Sequence, residues 1–189
     1  MGYWKNRIQF LVICCTLFSM NALWAQDKYI DKRGQLVFEA SEKAFEEVKA
    51  VNKSTTVILD TETGKIASVA LVKEFRFKNA LMEEHFNENY ADSGKYPKAK
   101  FSGELSDFNM EDLSNFNFQT DFVLKGKLNF HGKTKEIETT VSLSQSNDLI
   151  TLNGSFIVTP KDFAIEIPNI VQNKIAKQVN INLNFQLKK

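Results

Sequence analysis

Downstream of residue 95 the chain alternates between apolar and polar residues with a period of two, and no helix can satisfy that period over such lengths. Ala99, Phe101, Gly103 and Leu105 share one face, and Lys100, Ser102 and Glu104 share the other. Phe116, Phe118, Thr120, Phe122, Leu124, Gly126, Leu128 and Phe130 continue on even positions, with Asn117, Gln119, Asp121, Lys125, Lys127 and Asn129 between them. Ile150, Leu152, Gly154, Phe156 and Val158 repeat the pattern. Val179, Ile181, Leu183, Phe185 and Leu187 close the chain against Asn180, Asn182, Asn184 and Gln186. Each stretch therefore predicts a strand with one buried face.

The connections are short and polar. His131-Gly132-Lys133-Thr134 makes a hairpin-sized gap before Ile137, Thr139, Val141 and Leu143. Ser144 to Asp148 supplies the next turn, and Thr61-Glu62-Thr63-Gly64 an earlier one. In the strand expected from Lys65 to Phe77 the apolar parity changes from Ile66, Ala70 and Val72 to Phe75 and Phe77, which predicts a bulge near Lys73-Glu74. Ala80 to Asn89 breaks the alternation, and Leu81, Met82, His85 and Phe86 stand at helical spacing, so a short helix is expected to cap one end. Ser41 to Val51 reads two ways, since Ala44, Phe45, Val48 and Val51 suit a helix whereas Val48, Ala50, Val57 and Leu59 suit a strand continuing to Asp60; of the two, a short turn at 41–45 followed by strand is expected. The strands fall near 34–40, 47–60, 65–77, 97–106, 118–131, 135–144, 149–159 and 178–188. An antiparallel sheet of eight such strands hides its edges by closing on itself, with an interior sized for side chains or one small ligand. The expected fold is all-β, a single antiparallel eight-stranded barrel with a short capping helix.

Residues 1–25 have the form of a secretory signal, with Lys5 and Arg7 ahead of an uncharged apolar run from Ile8 to Ala25 that ends Ala22-Leu23-Trp24-Ala25. Cleavage is expected after Ala25, leaving one domain over 26–189 that is periplasmic or secreted. Leu23 is larger than the small residue usual three positions before a cut, which keeps an uncleaved anchor as the alternative. The apolar run is short for a stable span of roughly 20 residues, so no stable membrane insertion is expected. Cys14 and Cys15 lie inside this segment, and the remainder has no cysteine, which excludes disulfide, thiolate-metal and thiol-nucleophile chemistry there. Fourteen of the sixteen phenylalanines fall after residue 25. The 24 Lys and Arg nearly balance the 23 Asp and Glu, so charge gives no reason to expect nucleic acid.

Three segments carry a family resemblance. One runs from Phe75-Arg76-Phe77 through Ala80-Leu81-Met82-Glu83-Glu84-His85-Phe86-Asn87-Glu88-Asn89-Tyr90 and on to Lys95-Tyr96-Pro97-Lys98-Ala99-Lys100-Phe101-Ser102-Gly103. Another, Gly126-Lys127-Leu128-Asn129-Phe130-His131-Gly132-Lys133-Thr134-Lys135, matches a central G-x-L-x-x-x-G-x-T-K hairpin. The third is Asp162-Phe163-Ala164-Ile165-Glu166-Ile167-Pro168. Together they resemble the YceI-like family. The resemblance implies an exported bacterial protein with a lipocalin-like barrel that holds a polyisoprenoid, an isoprenoid quinone or a related long-chain lipid.

With that barrel closed, Phe75, Phe77, Phe101, Phe122, Leu124, Leu128, Phe130, Val141, Leu152 and Phe156 would line the interior and form the candidate ligand-binding set. The same stripe also suits a core packed only with itself. Gly103, Gly126 and Gly154 lie on the apolar parity of their strands and mark either a sharp corner or a widened cavity. His85, beside Glu83, Glu84 and Asn87, is the candidate polar contact, either to a headgroup or as a hydrogen-bonded structural histidine, and His131 reads as a turn residue. No nucleophile elbow, phosphate-binding glycine loop or histidine-rich metal spacing occurs, so no catalytic residue, metal or cofactor is nominated. Three readings stay open: a non-enzymatic carrier of a long-chain lipid or isoprenoid, an exported structural or stress-related interaction protein with a self-filled barrel, and a redox or haem barrel using His85. A homodimer is also left open.

Overall fold

The computed structural model describes residues 28–42, 45–113 and 119–189. The expected signal segment, Phe116 and Phe118 of the long alternating run, and residues 43 and 44 of the expected 41–45 turn lie outside them. Among the described residues the period-two stretches become β1 (Lys28–Ser41), β2 (Lys49–Asp60), β3 (Lys65–Leu71), β5 (Lys98–Leu105), β6 (Thr120–Phe130), β7 (Lys133–Ser146), β8 (Leu149–Val158) and β9 (Ile175–Lys188), with a two-residue β4 (Arg76–Phe77). The hydrogen-bonded order is β1-β9-β8-β7-β6-β5-β3-β2, and β2 pairs back to β1. All of these pairings are antiparallel, so eight strands close into a barrel with no free edge between them. β4 adds to β2 beyond the end of β3, pairing Phe77 with Ala50 and Arg76 with Val51.

Two strands depart from the expected bounds for local polar reasons. β1 starts at Lys28, earlier than the alternation suggested, because it carries register shifts on both sides of Gly34. At this bulge the Asp31 carboxylate accepts the backbone N–H of Arg33 at 2.8 Å and of Gln186 at 2.7 Å, replacing ladder bonds that the shift removes. β3 stops at Leu71, where the parity change is a 3-10 turn over Val72–Glu74 with Val72 fully buried. The end of β3 is capped from inside. Asn52 is fully buried and donates from Nδ2 to the Leu71 carbonyl at 3.0 Å, while its Oδ1 accepts from the Ser54 N–H at 2.9 Å and the Thr55 hydroxyl at 3.3 Å. A buried amide satisfied on both sides carries little penalty and holds this kink in place.

The expected helix is α1 (Ala80–His85), continued by a single π turn over Phe86–Tyr90. Asn79 is its N-cap, accepting from the backbone of Leu81 at 2.9 Å and of Met82 at 3.4 Å. Glu83 ties the helix to β4 through the Phe77 N–H at 3.1 Å and Arg76 at 3.0 Å. The helix thus sits at the end of the barrel where β3 and β5 are joined.

One end of the barrel is solid. Val57, Leu59, Leu143, Ile150 and Leu187 are fully buried there, and Leu113, from the 3-10 turn Met110–Leu113, plugs the opening. Phe108 packs on Phe122 with ring centroids 5.3 Å apart. The other end is covered by α1, by residues 45–48 and by the long 159–174 connection between β8 and β9.

Candidate ligand cavity

Above the solid end the interior opens into a cavity of about 460 Å³. Its floor is the layer formed by Ile66, Leu124, Leu152, Leu183 and Phe185, which belong to the packed core below and face the cavity above. Its walls are Phe101, Leu128, Phe130, Phe156 and Ile181. These five point inward on the same parity as the fully buried residues of the solid end, yet each is only partly buried. An inward side chain in a closed barrel keeps accessible surface only when the space in front of it is unfilled, because packed interiors leave no such gaps.

The glycine question resolves toward the corner. Gly103 and Gly126 are register partners across β5 and β6. A Cβ on Gly126 would stand 2.5 Å from the Ser102 carbonyl and 2.7 Å from the Gly103 Cα, and one on Gly103 would strike the Lys125 carbonyl. The two backbones approach more closely than any side chain permits, which coils the sheet sharply. The volume the glycines leave is taken by the Phe101 ring, whose tip would lie 2.5 Å from a Gly126 Cβ, so the pair does not enlarge the cavity. Gly154 likewise yields to Val141, whose Cγ1 would be 2.7 Å from an added Cβ.

Of the sequence-nominated residues, Phe75, Phe77, Phe101, Leu124, Leu128, Phe130, Leu152, Phe156 and His85 line the cavity. Phe122 and Val141 do not. Both face inward, but they lie below the floor in the packed end, with Val141 wholly buried and paired to Phe122. Sequence reasoning missed Phe38, Phe86 and Phe163, together with Ile165, Ile167 and Val171 of the long connection. Ile165 and Ile167 alternate with Ala164 and Glu166, a short period-two signal that was available. Phe38, Phe75, Phe77 and Phe86 form one aromatic group, with Phe86 to Phe77 at 5.2 Å and Phe86 to Phe38 at 5.7 Å.

The mouth is held by polar contacts. Thr159 and Asp162 form a reciprocal capping box, with the Thr159 N–H donating to Asp162 Oδ2 at 2.7 Å, and Lys135 reaches the same carboxylate at 2.6 Å. Partial burial pushes the Asp162 carboxyl up, but the hydrogen bonds from Lys135 and Thr159 outweigh it and hold the group below the usual carboxylate range. His131 occupies the β6–β7 turn as expected and does more than turn the chain. Its Nδ1 lies 2.9 Å from the Phe163 carbonyl, which can only accept, so the proton sits on Nδ1 and fastens the 159–174 connection to the hairpin. His85 is exposed at the mouth, where its side chain makes no hydrogen bond among the described residues.

Polarity is segregated along the cavity axis. The polar lining residues are Glu46, Ser68, His85, Tyr90, Thr159 and Lys174, and all except Ser68 come from the mouth. An enclosure with this distribution can hold an apolar chain in a dry interior and place a polar group at its opening.

The fold is shared with solved structures. A polyisoprenoid binding domain from Saccharophagus degradans, implicated in plant cell wall breakdown, superposes with a TM-score of 0.72 at 13% identity, covering 86% of this chain and 98% of that one. BcnA of Burkholderia cenocepacia gives 0.65 at 17% identity, covering 82% and 96%. The YCEI protein of Campylobacter jejuni gives 0.60 at 14%, covering 77% and 86%. At such identities the likeness is one of fold. No curated protein matches the chain in sequence. The YceI-like domain family model, in contrast, matches residues 28–187, almost the whole span of the barrel, and the chain belongs to that family.

Proposed function

We propose that the protein is an exported, non-enzymatic carrier that holds one long-chain apolar ligand, a polyisoprenoid, an isoprenoid quinone or a related lipid, inside its barrel. The observation that carries this reading is the cavity of about 460 Å³, whose strand-borne lining is apolar apart from Ser68. It is supported by membership of a family of binding proteins and by the fold shared with a polyisoprenoid binding domain. Export is supported by Lys5, Arg7 and the apolar run to Ala25.

Magnitudes favour a chain-like ligand. If a methylene takes roughly the 30 Å³ of a liquid water, the cavity accommodates on the order of fifteen. At about 0.8 kcal/mol each these contribute roughly 12 kcal/mol, comparable to an association cost of order 4–15 kcal/mol. Affinity then comes from the tail, and no catalytic group or metal is required for retention.

The test is to purify the protein from its native host without detergent, extract it with organic solvent and identify the released molecules by mass spectrometry. A stoichiometric long-chain lipid supports the carrier reading. An empty extract, with no uptake of added lipid, overturns it. The mass of the same preparation tests export, with cleavage after Ala25 expected.

A further inference from the structure

The most exposed large apolar side chains among the described residues gather at one end of the barrel. Ile170 is 86% exposed, Leu81 56%, Ile157 55% and Phe45 47%, and all four belong to the connections around the mouth or to the strand end that enters one of them. The described connections at the solid end, 61–64, 106–113 and 147–148, contain no exposed large apolar residue. They carry Glu62, Asp107, Glu111, Asp112 and Asp148 and no cation.

The strand order divides the mouth into two halves of opposite charge. On the half formed by β5, β3, β2 and β1, residues 72–97 together with Glu42 and residues 45–48 hold eight carboxylates against four cations. On the half formed by β6, β7, β8 and β9, residues 131–135 and 157–177 hold Lys133, Lys135, Lys161, Lys174 and Lys177 against Asp162 and Glu166, and Asp162 is already paired with Lys135. Ile170 belongs to this basic half, and a hydrogen-bonded turn holds it out. The Val171 N–H donates to the Pro168 carbonyl at 3.0 Å and the Lys174 N–H to the Val171 carbonyl at 2.9 Å, so Ile170 is a central residue of the turn while Val171 beside it lines the cavity.

A folded protein partner recognises a contiguous patch of roughly 800 Å², and one isoleucine at the tip of a turn does not offer one. A bilayer interface requires no matching shape. A single apolar side chain enters among the headgroups, and flanking lysines, whose stems are themselves apolar, keep their ammoniums at the level of the lipid phosphates. From the exposure of Ile170 and the lysines on its half of the mouth, we infer that this half docks on an anionic lipid surface. The barrel then meets the surface cavity end first and tilted onto the 159–174 connection, with the acidic solid end away from it. Docking needs no ligand in the cavity, so its failure and that of the carrier reading are separate results.

The test is co-sedimentation of the protein purified from its host with vesicles of phosphatidylcholine alone and of equal parts phosphatidylcholine and phosphatidylglycerol. The anionic vesicles are expected to bind it at least about tenfold more strongly at low salt, and the difference is expected to shrink as salt rises. Ile170→Ser, and separately Lys161→Gln combined with Lys177→Gln, are expected to weaken that binding at least about fivefold. All three side chains are exposed, so thermal unfolding is expected to stay unchanged. Leu81→Ser, on the acidic half, is expected to change the binding by less than about twofold. Sedimentation with neither vesicle, equal sedimentation with both, or equal losses from Leu81→Ser and Ile170→Ser overturns the inference. A dimer that Ile170→Ser dissociates overturns it as well, because the surface then belongs to a second copy.

Discussion

At the solid end of the barrel Val141, Leu143, Ile150 and Leu187 are wholly buried. At the open end Phe101, Leu128, Phe156 and Ile181, inward on the same parity and in part on the same strands, keep accessible surface. The residues do not differ in chemistry. They differ in what covers them. The solid end is stoppered by Leu113 and by Phe108 packed on Phe122, whereas the open end is roofed by the α1 segment and the 159–174 connection, whose Phe86 and Phe163 pack on Phe77 and Phe130 and leave the cavity between them and the floor. The phenylalanine-rich interior is thus a core where a stopper exists and a container where only a roof does.

The sharpest break between the two ends is expected in stability. Leu143→Ala, in the solid end, removes a fully buried side chain and leaves a new void, so a loss of about 3 kcal/mol is expected by chemical denaturation. Phe156→Ala, in the open end, only enlarges a space already present, so the cavity part of the penalty is missing and a loss nearer 1–1.5 kcal/mol is expected for the delipidated protein. Equal losses would erase the distinction drawn here.

The next largest effect concerns binding. Ser68 is the polar residue among the strand-borne lining positions and faces the empty space. Ser68→Phe is expected to fill the lumen, keep stability within about 1 kcal/mol and weaken lipid retention at least about tenfold. A Ser68→Phe protein that folds and still carries lipid would place the ligand elsewhere.

Much of the architecture was legible in the alternation, because a closed sheet with one buried face writes that pattern directly into the strands. The depth of filling was not. Phe101 and Phe122 are the same residue type on the same inward parity, and only the non-alternating 106–113 segment, which stoppers one of them, tells them apart. The same limit put Val141 among the candidate lining residues although it lies below the floor. The start of β1 was hidden because Asp31 supplies hydrogen-bond acceptors at a bulge where polarity reads as loop. His85, nominated on helical spacing, is the last residue of α1 and reaches the mouth, whereas the fastening role of His131 depends on a contact with Phe163, 32 residues away in sequence, that no local pattern encodes.

The smallest expected effect is a pH dependence confined to the roof. Asp162 has its carboxyl held below the ordinary value, so the stability it contributes is fully present above about pH 4 and is lost as pH falls through the depressed value. Hydrogen exchange should show the 159–174 connection loosening in that acidic window while the solid end stays protected, and Asp162→Asn should show the loosening already at neutral pH. Uniform loosening of both ends would argue that Asp162 does not tether the roof.

The central claim is that the open end is a dry apolar container of finite depth, and a series of straight-chain 1-alkanols of increasing length tests it most directly. Dissociation constants are expected to fall by about fourfold for each added methylene, the equivalent of about 0.8 kcal/mol, and to level off near fifteen carbons when the tail has filled the cavity. Affinity that does not change with chain length would contradict the account.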